Sequence, residues 1–333
     1  MPFSKFLKRA ALLAILLAVA LAALAYRWAH QPVRLAASPI DVAIQPRSAL
    51  PAVLTQLQAG GVTFNHTLFT AMTRLLRLDT SIKSGNYEFQ TGTTPYQLLL
   101  KLARGDVNQS VVTVIEGWTF ARMRAEIDQN PDLKHDTLGL SEAALLARIG
   151  AAESKAEGLF FPDTYLFARG TSDVDIYTRA YRVGRLRLAE AWRERAADLP
   201  YRTPYEALIA ASLIEKETGR GDERGRVSAV FANRLRVGMP LQTDPSVVYG
   251  LTTPLDKRLR RRDLTTDTPY NTYTRPGLPP TPIALPGMAA LEAAVHPVKT
   301  DALYFVARGD GSSEFSNSLD AHNRAVNRYQ RGQ

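Results

Sequence analysis

Thr203 to Gly219 reads TPYEALIAASLIEKETG, and the rest of the chain must be built around this stretch. Thr203, Pro204 and Glu206 spell a helix start: a hydroxyl at the cap, proline at the first helical position, and a carboxylate able to complete a capping box. Ala207 to Ile214 is apolar apart from Ser212, so the predicted helix has no polar face to offer solvent and is expected to be buried all round. Gly219 and Gly221 are expected to end it. Glu215 then falls on the last turn, directly after the dry stretch, where desolvation and the negative end of the helix dipole both favour the neutral acid. Lys216 pulls the other way, but successive helix residues point about 100° apart. A carboxyl group held protonated near neutral pH is what general acid catalysis requires. Glu217 points about 200° away from Glu215 and is expected to lie outside the same pocket. The helix pattern alone also allows both glutamates to be solvent-facing residues of a fraying end.

Upstream, Asp175 to Ala197 is a long Arg-rich stretch that reads as a solvated amphipathic helix, with an anion-binding face as the functional alternative. Val107 to Ile115 is the most strand-like run. Thr119 can cap a following helix, and Ser141-Glu142 opens another. Residues 40–105 mix short elements. Ser48 can cap a helix to Gln58, and Asn65 a second through Leu78. Ile82 to Phe89 alternates like a strand, and Thr94-Pro95 opens a helix that Gly105 stops. These patterns predict an α+β fold.

At the N-terminus, Lys5, Lys8 and Arg9 precede the unbroken apolar run Ala10 to Ala25, and Tyr26 and Trp28 follow it. Ala10 to Tyr26 would reach about 26 Å as a helix, enough for a membrane anchor. A cleaved signal peptide is the alternative, since Ala23-Leu24-Ala25 fits a small-x-small site. The basic leader predicts a cytoplasmic N-terminus and an exported remainder. The expected organisation is a leader at 1–9, a transmembrane helix at 10–28, a linker at 29–39, a small α+β subdomain at 40–105, and a larger mixed α+β catalytic domain at 106–333. The chain has 333 residues, 45% hydrophobic and 22% charged, as an ordinary folded protein does. Its net charge of +9 predicts an anionic partner. Cysteine is absent, which excludes disulfides, thiolate metal sites and Cys nucleophiles. Five scattered His give no metal-ligand spacing, so neither metal nor cofactor is expected.

Several segments point the same way in order. They are Glu157 to Tyr165 (EGLFFPDTY), Ala211 to Glu217 (ASLIEKE), Val230 to Leu235 (VFANRL), Met239 to Pro245 (MPLQTDP), Tyr270 to Tyr273 with Gly277 to Pro280 (NTY and GLPP within them), and His296-Pro297 before Leu303 to Val306. Together they make the chain resemble the YceG-like (MltG) family of endolytic murein transglycosylases. Pro280-Thr281-Pro282 departs from the pattern, with Thr where many members carry Gly.

The resemblance implies a membrane-anchored lyase that cuts the MurNAc-GlcNAc β-1,4 bond within peptidoglycan strands without water, leaving 1,6-anhydro-MurNAc ends and trimming or terminating new strands. It implies Glu215 as the acid on a lysozyme-like buried glutamate helix, and a lysin-motif-like subdomain at 40–105. It also implies the inner membrane as location, with the catalytic part periplasmic, and wall-synthesis enzymes such as penicillin-binding proteins as partners.

Candidate sugar ligands are Asp163, Asn233, Gln242, Asp244, Tyr270, Asn271 and Tyr273, the last three at the edge of a loop stiffened by Pro276, Pro279, Pro280, Pro282 and Pro286. Asp163 and Asp244 also have structural readings, as a turn and as a helix cap. The Lys257 to Arg262 cluster could meet stem-peptide carboxylates or lipid headgroups, or be a solvated loop. The competing readings are a non-catalytic wall-binding scaffold, a two-carboxylate muramidase, and a nucleic-acid-binding protein, which the apolar N-terminal run disfavours.

Overall fold

A computed structural model describes residues 2–107, 109–251 and 259–332. The chain divides into two compact units, Met1–Ser110 with Leu166–Gly170, and Val111–Tyr165 with Thr171–Gln333.

The chain opens with α1 (Pro2–Ala29). Within it Ala11–Ala29 has a mean hydropathy of 2.1 over 19 residues, long and apolar enough to cross a membrane. This agrees with a single-pass anchor. Tyr26 is exposed, whereas Trp28 packs partly against the core of the first unit rather than serving only as an interfacial ring.

Next come β1 (Arg34–Leu35), β2 (Ile40–Ile44), α2 (Leu50–Ala59), β3 (Val62–Thr63), α3 (His66–Leu75), β4 (Gly85–Phe89) and α4 (Pro95–Arg104). β2 and β4 pair antiparallel, with Ile40 opposite Phe89 and Ile44 opposite Gly85. The two-residue period puts Val42, Ile44, Tyr87 and Phe89 into one core with Leu57, Phe69, Leu98 and Leu102.

Thr94 and Gln97 form a full capping box at α4, and Gly105 closes it at φ 72°. Two expected ends shift. Ala49, not Ser48, caps α2, and the Ser48 hydroxyl instead accepts a bond from Gln56 Nε2 at 3.0 Å. α3 stops at Leu75 rather than Leu78, and Arg77 then turns to a φ of 55°.

The chain continues through β5 (Gln109–Thr113), α5 (Phe120–Asp128), β6 (Leu133–Lys134), α6 (Glu142–Arg148), β7 (Thr164–Ala168), β8 (Thr171–Ser172) and α7 (Asp173–Arg193). Then follow α8 (Pro204–Glu217), α9 (Arg224–Arg236), α10 (Asp244–Gly250), α11 (Arg261–Thr265), α12 (Met288–Val295), β9 (Tyr304–Ala307), β10 (Ser313–Ser316), α13 (Leu319–Val326) and a π-helical turn, Asn327–Arg331.

α8 is the centre of the second unit: Ala207 to Ile214 are all buried, with α7, α9, α10 and α12 packed around them. Each fully buried Leu or Ile there contributes roughly 1.5–3 kcal/mol. The cap is only half the expected box. Thr203 Oγ1 accepts the Glu206 N–H at 3.2 Å, but the Glu206 carboxylate accepts from Arg202 N–H instead of Thr203. The end also differs, since Thr218 leaves the helix in an extended conformation before either glycine is reached.

Ser212, the one polar residue in the dry stretch, donates to Ile209 O at 2.7 Å and accepts the Ile283 N–H at 3.0 Å. That second bond pins the proline-rich segment onto α8. Thr281 to Gly287 is buried there, so its later half is core lining and not a groove edge. Gly158, at φ 82°, sits so close to it that a Cβ would lie 2.4 Å from Pro282.

Candidate active site

The last turn of α8 sends its two glutamates in opposite directions, as helix geometry requires. Glu215 is enclosed, with 7% of its side chain exposed. Its Oε2 accepts the Gly287 N–H at 3.0 Å, and Arg224 Nη2 lies 3.9 Å from Oε1. Gly287 is the cap residue of α12, so this carboxylate ties α8 to the start of a neighbouring helix. Burial raises its pKa, the Gly287 bond opposes that, and the charge of Glu116 adds to it. Lys216 Nζ donates to Gly117 O at 3.2 Å.

Glu217 opens instead onto a cavity of about 620 Å³, whose wall includes Arg234, Gln242, Asp244, Tyr273 and His322. Burial pushes the Glu217 carboxyl up to about 7; the Thr243 hydroxyl and Arg234 pull it down, and the charge of Asp244 pushes it up. Thr243 Oγ1 donates to Glu217 Oε2 at 2.9 Å. Thr243 is itself held by its own N–H, which donates to Thr272 Oγ1 at 3.0 Å, and by Ser246 Oγ, which donates to its carbonyl at 2.8 Å. Tyr273 OH donates to Asp244 Oδ1 at 2.6 Å, and burial followed by that carboxylate raises the phenol pKa, so the hydroxyl keeps its proton.

Arg234 is a buried strut. Its Nε donates to Leu303 O at 2.7 Å and its Nη1 to Leu241 O at 2.8 Å, which fixes both the loop before α10 and the start of the β9–β10 hairpin. Gln242, exposed at the cavity mouth, has a φ of 52°, a left-handed backbone unusual for a side-chain-bearing residue. Its N–H donates to Thr272 O at 3.1 Å, so the loop before α10 and the Tyr270 to Tyr273 segment are stitched together around Glu217.

Of the residues expected to meet substrate, Gln242, Asp244 and Tyr273 therefore gather in one cavity, and the glutamate they surround is Glu217. Glu217 does turn away from Glu215, as expected, but the candidate ligands gather on its side of α8 and not around Glu215. The neighbours on α9, α10 and the hairpin set which side of α8 is open. Asp244 is the first residue of α10, whose cap position belongs to Thr243.

The other candidates spend their polar atoms internally. Asn271 is fully buried; its Nδ2 donates to Thr266 O at 2.7 Å and Leu264 O at 3.1 Å, and its Oδ1 accepts from Tyr273 N–H at 2.9 Å. Asn233 Nδ2 donates to Thr300 O at 2.8 Å and Ala302 O at 3.0 Å, while its Oδ1 accepts from Arg236. Tyr270 OH pairs with Thr281 Oγ1 at 2.9 Å, which gives the unexpected threonine of the Pro-Thr-Pro segment a partner. Asp163 lies exposed immediately before β7, not in a turn, and accepts the Thr164 N–H at 2.7 Å. Lys257 and Arg258 lie outside the described residues.

Thr243, Arg234 and His322 were not singled out as site residues by sequence reasoning. Thr243 stands inside the Gln-Thr-Asp-Pro segment, which was the available signal. Glu157, the first residue of another quoted segment, is a third buried carboxyl, pushed up to about 7 by burial. It accepts the Phe120 N–H at 3.0 Å and the Tyr249 hydroxyl at 3.1 Å, which accounts for it as a structural cap of α5.

Comparison with known proteins settles the kinship. The model of the YceG-like family matches residues 42–328, which is most of the chain. The chain belongs to the YceG-like family. A Bacillus subtilis protein named endolytic murein transglycosylase is 39% identical over 173 residues, covering 52% of this chain and 48% of its own length. A Streptococcus pneumoniae protein of the same name is 26% identical over 325 residues, covering 86% of this chain and 58% of its own length. The chain thus spans about half the length of the curated relatives it matches. A crystal structure of a protein described as YceG-like from Listeria monocytogenes superimposes with a TM-score of 0.52 at 27% identity, covering 86% of this chain and 99% of that one. Its fold is the mixed α and β arrangement described above.

Proposed function

We propose that this chain is an endolytic peptidoglycan lytic transglycosylase, a lyase, with Glu217 rather than Glu215 as its acid. The observation that carries the reading is the Glu217 carboxyl, pushed up to about 7 and opening onto a polar cavity of about 620 Å³. Family membership and the names of the relatives support the substrate. Near neutral pH a large fraction of such a carboxyl is protonated. It donates that proton to the glycosidic oxygen between MurNAc and GlcNAc as the bond to the MurNAc anomeric carbon breaks. The resulting carboxylate takes the proton of the sugar's own C6 hydroxyl, whose oxygen closes on the anomeric carbon as a 1,6-anhydro ring. The acid returns to its starting state and no water is consumed.

Thr243 holds the carboxylate in place through the second half-step. Gln242, whose Oε1 accepts from Arg234 Nη1 at 3.4 Å and whose amide group lies at the cavity mouth, and the Asp244–Tyr273 pair supply hydrogen bonds for sugar hydroxyls and acetamido groups. Asp244 also offers the alternative chemistry: as a second carboxylate it is the natural partner if the enzyme were a hydrolytic muramidase. Glu215, by contrast, lies outside that cavity, with Oε2 bonded to the Gly287 N–H and Arg224 3.9 Å from Oε1.

The antiparallel pair β2 and β4, with α2 and α3 between them in the chain on either side of the two-residue β3, supports reading residues 40–105 as a lysin-motif-like module that positions glycan. The apolar N-terminal helix supports an inner-membrane location with the second unit outside the cytoplasm, where wall-synthesis enzymes act. Purified peptidoglycan incubated with the detergent-solubilised full chain should yield internal cuts and 1,6-anhydro-muramyl ends by mass spectrometry. Reducing ends, one water heavier, would replace this reading with the two-carboxylate hydrolase, and no product at all would leave the scaffold.

A further inference from the structure

The hairpin and C-terminal helix that wall the Glu217 cavity carry a second cavity on their other side. On α13 and the turn after it, His322, Val326 and Gln330 recur every four residues and face the Glu217 cavity. Ala321, Arg324, Ala325 and Arg328 line a separate space of about 440 Å³, which Arg226 of α9 enters from across the hairpin.

Arg226, Arg324 and Arg328 are all exposed, and none has an ion-pair partner among the described residues. The two carboxylates in the same wall are already engaged: Glu314 with Arg308, and Asp301 with the Asn317 amide at 2.7 Å. Arg226 sits over the Phe315 ring, its guanidinium carbon 4.0 Å from the centroid, a contact that holds the group in place before any ligand arrives. Three arginines from α9, α13 and the turn after it thus line one polar space, none of them paired with the two carboxylates of its wall.

We propose that this second cavity is a carboxylate subsite for the peptide stem of a muramyl residue whose glycan lies in the Glu217 cavity. The inference rests on the function proposed above and deepens it. Each MurNAc carries its peptide on the lactyl group, so a strand held in one cavity must send stems sideways over the wall. The stems carry several carboxylates, for which the planar forked guanidinium is the matching donor. The chain's net charge of +9 accords with a polymer whose anionic groups sit on its stems.

The test uses the full chain in detergent. In the first arm, a free stem peptide, its methyl-esterified form and inorganic pyrophosphate are titrated into the Glu217→Gln protein by calorimetry, with and without Arg324→Gln plus Arg328→Gln. The stem peptide should bind, the ester should not, and the double substitution should weaken binding about tenfold, as expected for two solvent-exposed charge-assisted bonds. In the second arm, kcat/KM is measured on strands with stems and on strands stripped by an amidase. The double arginine variant should lose about tenfold on the first and nothing on the second, with the loss in KM. Equal stem binding by variant and parent overturns the proposal, as does an equal loss on both strands. Pyrophosphate binding in preference to the stem peptide also overturns it, in favour of a phosphate site. If the wild-type chain cuts no strand of either kind, the proposed function fails while the titration still decides the subsite.

Discussion

Replacing Thr243 by Val removes one atom that matters, the hydroxyl 2.9 Å from Glu217 Oε2, and keeps the side-chain volume. The backbone bonds of Thr243 to Thr272 and Ser246 do not involve that hydroxyl, and the α10 cap uses no side-chain bond, so the loop should keep its shape. A donor aimed at a carboxylate favours the ionised form, so its removal must raise the Glu217 pKa further above about 7. A hydrogen bond to a charged group is worth roughly 1.5 kcal/mol or more, and one pKa unit corresponds to about 1.4 kcal/mol, so the shift should be about one unit. Because the protonated form starts the reaction, the alkaline limb of kcat/KM against pH should move up by about that amount. Thermal unfolding at pH 6 should change little. The assay is release of anhydro-muropeptides across pH 5 to about 9, the span in which a carboxyl of this kind titrates. An alkaline limb that stays put or moves down would refute the assignment of that limb to Glu217.

Asp244→Asn should do the reverse. Its charge raises the Glu217 pKa, so the alkaline limb should shift to lower pH, and an unmoved limb would place Asp244 outside the electrostatic reach of the acid. Glu157→Gln tests linkage. A folded pKa of about 7 against 4.5 means the stability contributed by this group is complete below 4.5 and is lost as pH rises through about 7. The difference, 7 minus 4.5, is about 2.5 units, or roughly 3 kcal/mol. Denaturant titrations from pH 5 to about 8 should therefore show a flatter stability profile in the variant, with the benefit at the alkaline end. Ser212→Ala leaves the buried Ile283 N–H without a partner and should cost about 1–3 kcal/mol in the same assay; a neutral result would mean that another acceptor replaces the hydroxyl.

How much of this was legible in the chain depends on whether the signal was local. α8 was, because an unbroken apolar run leaves no other choice than burial, and the caps at Asn65, Thr94 and Thr119 were, because each hydroxyl or amide sits one turn before its own acceptor need. Helix geometry also placed Glu215 and Glu217 on opposite sides. Which side faces a cavity was not local. It depends on Arg234 of α9, the left-handed Gln242 and the hairpin after Leu303, more than eighty positions beyond the helix in the last case. Asn233 and Asn271 show a different limit. An amide suited to an acetamido group is equally suited to backbone carbonyls, and here folding uses them for the latter. Thr243 was hidden between two more conspicuous residues, Gln242 and Asp244.

The central claim is that one carboxyl, Glu217, performs both proton transfers. Glu217→Gln and Glu215→Gln, each in the full chain and each matched for folding by thermal melting, should be compared for release of 1,6-anhydro-muropeptides from purified peptidoglycan. Glu217→Gln should cut activity by about 10²–10⁴, the usual worth of general acid–base catalysis, without loss of stability. Glu215→Gln should keep most of the activity, since it lies outside the Glu217 cavity and its amide oxygen can still accept the Gly287 N–H at the start of α12. Loss of activity confined to Glu215→Gln would contradict the account and return the acid to the other face of the helix.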